Sequence, residues 1–183
     1  MEDETAAIPD VLDLLAEWGV TNHAFRRNRV DVRRKALAAV LVTSGVSYRE
    51  TARLVGNMSY IAVRDSYVKL TSLLPTGEKA NRRSVAIDES VIRVGNGPAY
   101  LWLARDIDSG RTISFRASFT GSPEDSASFA RSVLDTCTNR PAVRLGRGPN
   151  RPRVLKNLDL YFQTEGTSGV VHMIQRIFRV GSR

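Results

Sequence analysis

The sequence predicts a mixed α+β chain, with a helical first part and a second part built of strands and helices. Three observations carry this. Residues 30–74 read as helices punctuated by Ser caps and Gly stops. A polar stretch, PTGEKANRRS, follows at 75–84. Beyond it the apolar residues alternate as in strands, and the elements run βββαβαβα, the order of a mixed sheet flanked by helices.

Taken in order, MEDETAAIPDVLDLLAEWGV has a polar start and a short amphipathic helix from about Pro9 to Trp18, with Leu12, Leu15 and Trp18 on one face. The basic run RRNRVDVRR follows and reads either as a solvated face or as a phosphate contact. VRRKALAAVLVTSG is a helix closed by Gly45. Ser47 caps the next helix, SYRETARLVG, with Glu50 placed to complete a capping box. Gly56 ends it. Ser59 caps a third helix, YIAVRDSYVKLTSLL, which stops before Pro75. Two helices joined by a tight Gly-Asn-Met-Ser turn have helix-turn-helix geometry, with the last helix in the recognition position. Tyr60, Arg64, Ser66 and Lys69 are expected on its outer face, and Arg49 and Ser59 beside it complete the expected DNA contacts of this part.

The second part opens with VAIDESVIRV, then AYLWLARDID and TISFRASFT, a three-stranded meander with turns at Gly-Asn-Gly-Pro and Asp-Ser-Gly-Arg. A hairpin turning at Asn96-Gly97 sets Asp108 opposite Val85 and makes Asp108 the first residue of its turn. SPEDSASFARSVLDTC is a helix capped by Ser122, with Phe129, Val133 and Leu134 inward. PAVRL reads as a strand, PRVLKNL as a short helix, LYFQT as a strand and SGVVHMIQRIF as a last helix. The domain layout is therefore an acidic segment with a short helix at 1–29, a helix-turn-helix module at 30–74, a linker at 75–84 and an α/β domain at 85–183.

Composition narrows the function. The chain has 183 residues, 42% of them hydrophobic, and a formal charge of +8. Residues 1–20 hold six acids and no bases, whereas residues 21–83 hold thirteen bases and four acids, a local +9. Most of the bases are arginine, which pairs bidentately with phosphate, so nucleic acid is the expected partner. No apolar run has the ~18 residues of a membrane span and no leader pattern opens the chain, so a soluble cytoplasmic protein, associated with the nucleoid, is expected. One cysteine, Cys137, excludes an internal disulfide, and one Cys with two His makes no structural zinc site. A Ser- or Cys-based hydrolase finds no support.

The stretches VAIDESVIRVGNGPAYLWLARDIDSGRTISFRAS, SFARSVLDTCTNRP, RGPN and LDLYFQTEG resemble the small insertion-sequence DDE transposases, which join a helix-turn-helix to an RNase H-like, integrase-like domain. The resemblance covers the chain from about residue 30 and is strongest over 85–139. It implies DNA transposition or recombination by metal-dependent strand cleavage and transfer, on double-stranded DNA at the ends of a mobile element. It also implies assembly into homo-oligomers or with related transposase subunits.

In that family an Asp on the first strand is the first metal ligand, and Asp88 matches it. Two divalent ions about 4 Å apart would activate the attacking oxygen and stabilise the leaving one, and oxygen ligands suit Mg²⁺. Glu89 should face the other way, because neighbours on a strand alternate. Taken by itself, Asp88 reads as a strand-edge acid paired with an arginine such as Arg105. The family's second Asp falls on Gly146 and its Glu on His172, so only one of three carboxylates is matched. Around these positions Arg140, Arg144, Arg147, Arg151, Arg153 and Lys156 form a basic cluster that repels a cation and attracts phosphate. Of these, Arg147, Arg151 and Arg153 are expected DNA contacts. The expected protein binds DNA, binds Mg²⁺ weakly or not at all, and is catalytically impaired. The alternatives are an active DDE transposase with relocated ligands, or a non-enzymatic interaction or regulatory module.

Overall fold

The computed structural model describes residues 10–25, 29–75 and 79–146. The helix, strand and last helix expected after residue 150 lie outside the described residues, as do Arg147, Arg151, Arg153 and His172. Four helices come first: α1 (Val11–Thr21), α2 (Val32–Thr43), α3 (Tyr48–Val55) and α4 (Tyr60–Thr71). Then come β1 (Ser84–Val94), β2 (Gly97–Asp106), β3 (Thr112–Ser118), α5 (Pro123–Leu134) and β4 (Ala142–Leu145). The described fold is mixed α+β, with a four-stranded mixed sheet in the order β3-β2-β1-β4. β1 runs antiparallel to β2 and parallel to β4.

The helix starts are chemical. Asp10 caps α1 and exchanges backbone–carboxylate hydrogen bonds with Asp13, satisfying N–H groups that the first turn leaves unpaired. Ser122 and Asp125 do the same for α5, with Pro123 in the first turn. At α3 only half of the expected box forms. The Ser47 hydroxyl accepts the Glu50 N–H at 3.2 Å, but the Glu50 carboxylate turns to Arg53 at 3.0 Å. Both groups are solvent-exposed, so the i,i+3 pair competes freely with the cap.

α1 buries more than the narrow face expected of it. Val11, Leu12, Leu14, Leu15, Ala16 and Trp18 are all buried. They share one core with Ala36, Ala39 and Val40 of α2, Leu70 of α4, and Leu101, Leu103, Phe115 and Ala117 of the sheet. The edge of Trp18 meets the Phe115 ring at 6.4 Å between centroids. The helices thus cover one face of the sheet. α5 covers the other, where Phe129 stacks on Trp102 and Val133 joins Val85, Ile87 and Val143. Residues 80–82, read from the sequence as part of a linker, are stitched to the end of α5. Ala80 bridges Cys137. Arg82 is buried and donates to the Thr136 carbonyl at 2.5 Å, while Asn139 brackets its backbone.

The β1–β2 hairpin turns on Gly95-Asn96, with Val94 opposite Gly97, one residue earlier than expected. Gly95 takes φ +58°, a left-handed conformation that suits glycine at the first position of a two-residue turn. The pairing therefore shifts by two residues: Asp106, not Asp108, lies opposite Val85. A shift of two keeps every side chain on its expected face. It does change the roles of the acids. Asp106 opens the next turn, accepting the N–H groups of Asp108 and Ser109, and Asp108 pairs with Arg83 at 2.5 Å. Among the described residues no helix is long and apolar enough to cross a membrane.

Candidate functional site

Asp88 sits mid-strand on β1, opposite Leu103, which lies in the core shared with the helices. Glu89 lies opposite Trp102, in the core beneath α5. The two adjacent carboxylates therefore belong to opposite faces. One Asp88 oxygen accepts the Glu89 N–H at 3.0 Å. Two residues on, the Ser90 hydroxyl accepts the Val11 N–H at 2.9 Å, which ties the start of α1 to the face that carries Asp88.

Gly146 is buried and follows β4 directly. Its N–H donates to the Ile87 carbonyl at 2.7 Å, extending the parallel β1–β4 ladder by one bond. This places it beside Asp88. A Cβ at position 146 would stand 2.6 Å from Asp88 Cγ and 3.1 Å from its Cα, inside ordinary contact distance. The two positions, 58 apart in the sequence, adjoin in the fold. One carboxylate and a glycine do not make a divalent-cation site, because hard cations need several oxygen ligands. Among the described residues no group of three or more His, Cys, Asp or Glu could hold a metal ion.

Positive charge stands in the row before Asp88. Arg105 on β2 and Arg144 on β4 both lie in register with Ala86, on the Asp88 face. Arg105 is buried; burial pushes its pKa down to about 10, against the opposing pull of the Glu17 carboxylate. Arg140 is exposed in the loop before β4.

The second group of expected residues lies on α3 and α4. Gly56 (φ +69°) and Asn57 (φ +52°) turn the chain between them in left-handed conformations. The Ser59 hydroxyl accepts the Ala62 N–H at 3.2 Å and so caps α4. Val63, Ser66 and Leu70 are the buried stripe of this helix. Ser66 is therefore not on the outer face: its hydroxyl turns inward and donates to the Ala62 carbonyl at 2.8 Å. The exposed face carries Tyr60, Ile61, Arg64, Asp65, Val68 and Lys69. Lys69 is engaged by Asp65 at 2.7 Å, while Arg64 forms no ion pair among the described residues. The Arg49 guanidinium lies 5.9 Å from the Tyr60 ring centre, a cation–π contact across the turn. Nothing in the local spacing signals that pair, since it joins two helices.

No family model matches the chain. It is 29% identical, over 175 residues, to an uncharacterized protein of Methanocaldococcus jannaschii, covering 94% of this chain and 81% of that one. Among solved structures it is similar to a chain of the cryoEM structure of the simian T-cell lymphotropic virus intasome in complex with PP2A regulatory subunit B56 gamma. There the TM-score is 0.41 and the identity 11%, covering 79% of this chain. It spans 59% of that chain's length, under two thirds.

Proposed function

We propose that the chain is a DNA-binding protein of the insertion-sequence DDE transposase type whose strand-transfer site is impaired. The observation that carries this is the juxtaposition of Asp88 and Gly146. The resemblance assigns these positions to the first and second metal ligands, and in the fold they adjoin on neighbouring parallel strands. The strand order β3-β2-β1-β4, with only β4 parallel to β1, supports the RNase H-like reading. With one carboxylate where the chemistry needs several, Mg²⁺ binds weakly or not at all.

Binding is assigned to α3 and α4, with Arg49, Ser59, Tyr60, Arg64 and Lys69 as contacts, and the partner is duplex DNA of an element end. Its place in the cell is with that DNA, in assemblies with further copies or related transposases. The test uses the full chain, because α1, α2 and α4 share their core with the sheet. Anisotropy of a labelled duplex should rise on binding and fall as salt releases the protein, and Arg64→Ala should weaken it. No salt-sensitive binding by the full chain would end the DNA reading. Cleavage of a duplex end with Mg²⁺ or Mn²⁺, abolished by Asp88→Ala, would end the impaired reading and favour an active enzyme.

A further inference from the structure

The fold gives Arg33 and Arg34, neighbours at the start of α2, different tasks. Arg33 is a strut. It is ion-paired to Asp10 at 2.5 Å and also to Asp13, so it fastens the start of α1 to the start of α2. Arg34, its neighbour, is exposed and forms no ion pair among the described residues. With Arg93, from the far end of β1, it lines a cleft of about 460 Å³. Arg93 is likewise exposed and without an ion pair among the described residues.

Aliphatic side chains line this cleft as well: Leu12, Leu37, Val91 and Ile92. Two carboxylates also line it. Asp10 is neutralised by Arg33, and Asp31 is held as the cap of α2, accepting the Arg33 N–H at 2.6 Å. The lining therefore carries two arginines and one carboxylate that form no ion pair among the described residues. The volume lies in the range of small-molecule sites.

Lys35, next to Arg34, lies close enough to Lys69 for the two ammonium groups to repel. Burial first and Lys69 second hold the Lys35 pKa below its ordinary value, with Asp65 opposing them. Lys35 and Lys69 thus add positive charge where α2 and α4 approach each other.

We propose that the Arg34–Arg93 cleft is a second DNA contact, which holds a phosphodiester of the backbone beyond the segment read by α4. The guanidiniums would take the phosphate oxygens and the aliphatic lining the adjoining sugar. Among the described residues no aromatic side chain lines the cleft, so they offer a base nothing to stack on. The contact is therefore to the backbone and indifferent to sequence. This inference rests on the DNA-binding reading.

The test is the salt dependence of duplex binding by the full chain, with Arg34→Gln and Arg93→Gln together. Each phosphate neutralised contributes about 0.9 to the slope of log affinity against log salt, so the double variant, which releases the one phosphate of the cleft, should lower the slope by about 0.9. The loss should be the same for unrelated duplex sequences. Arg34→Lys with Arg93→Lys should retain most of the slope. Both sites are exposed, so unchanged circular dichroism is expected and separates the effect from misfolding. If the wild type binds, Arg64→Ala weakens it and the double variant keeps the wild-type slope, the cleft assignment is wrong and the DNA reading stands. If the wild type shows no salt-sensitive binding, both fall. If polyglutamate, or a second copy of the chain, is bound by the wild type and lost in the double variant with the DNA slope unchanged, the cleft is a protein-docking site and the proposal is overturned.

Discussion

Gly146 lies against the Asp88 carboxylate, with its N–H committed to the Ile87 carbonyl at 2.7 Å and no room for a side chain of its own. The space a Cβ would fill at 146 is taken by Asp88. Each residue thereby limits the other, although their chemistries have nothing in common.

Gly146→Ala should therefore destabilise the fold by about 1–3 kcal/mol, the usual cost of overpacking. Asp88→Ala made in the same chain should recover part of that loss, because it removes the group that the new methyl strikes. Urea unfolding of the two single variants and the double would read a coupling on the order of 0.5–3 kcal/mol. Strict additivity would contradict the contact.

Gly146→Asp should add a charge effect to the same crowding. It brings a second carboxylate against the first, and at neutral pH two like charges in contact destabilise. A divalent cation would relieve the repulsion. The melting temperature of the variant should therefore be below wild type without metal and rise with Mg²⁺, while that of the wild type should stay where it is. Equal Mg²⁺ shifts in both proteins would show that Asp88 already holds the ion in other company. Adding His172→Glu tests whether a third carboxylate restores nicking of a duplex end.

A fragment ending at residue 80 should not fold. It would keep α1, α2 and α4 but lose Leu101, Leu103, Phe115 and Ala117, the sheet side of their core. Circular dichroism of the fragment should show little cooperative melting. In the full chain, Trp18→Ala should cost about 3–5 kcal/mol, and helix and sheet signals should be lost in one transition. A fragment that melts cooperatively would separate the two parts.

Asp125 gives a pH-dependent term. The Thr120 hydroxyl first, then the Ser118 hydroxyl and the Ser122 N–H and hydroxyl, hold its carboxyl below the ordinary value, against the effect of burial. A carboxylate depressed in the folded state contributes stability above its unfolded pKa of about 3.9, lost as pH falls through the folded value. Asp125→Asn should therefore lower stability near pH 7 and leave it nearer to wild type in acid. Thr120→Val should move the carboxyl titration, followed by NMR, back towards the ordinary value. An unmoved titration would refute the assignment.

Much of the local structure was legible because its causes are local. Ser47, Ser59 and Ser122 each accept an N–H within their own first turn, so caps and helix starts could be read off a few neighbouring residues. The alternation that sets Asp88 and Glu89 on opposite faces follows from the geometry of any strand. Where a local signal allowed two answers, the sequence did not choose. Gly-Asn-Gly-Pro permits a turn one residue earlier or later, and the fold took the earlier, which moved the turn acid from Asp108 to Asp106. Glu50 had a cap and an arginine within reach and took the arginine.

What only the tertiary structure decided concerns residues far apart in the chain. Ser66 faces inward because α4 packs along Val63 and Leu70, a choice made by its neighbours. The helices share a core with the sheet because Trp18 meets Phe115. Gly146 reaches Asp88 because β4 pairs in parallel with β1. Arg34 and Arg93, far apart in the sequence, line one cleft only because the fold brings the start of α2 near the end of β1. Caps, turns and strand alternation are determined within a few residues, where covalent geometry limits the choices. Which faces bury one another depends on apolar area gathered from the whole chain, and no stretch of sequence holds that information alone.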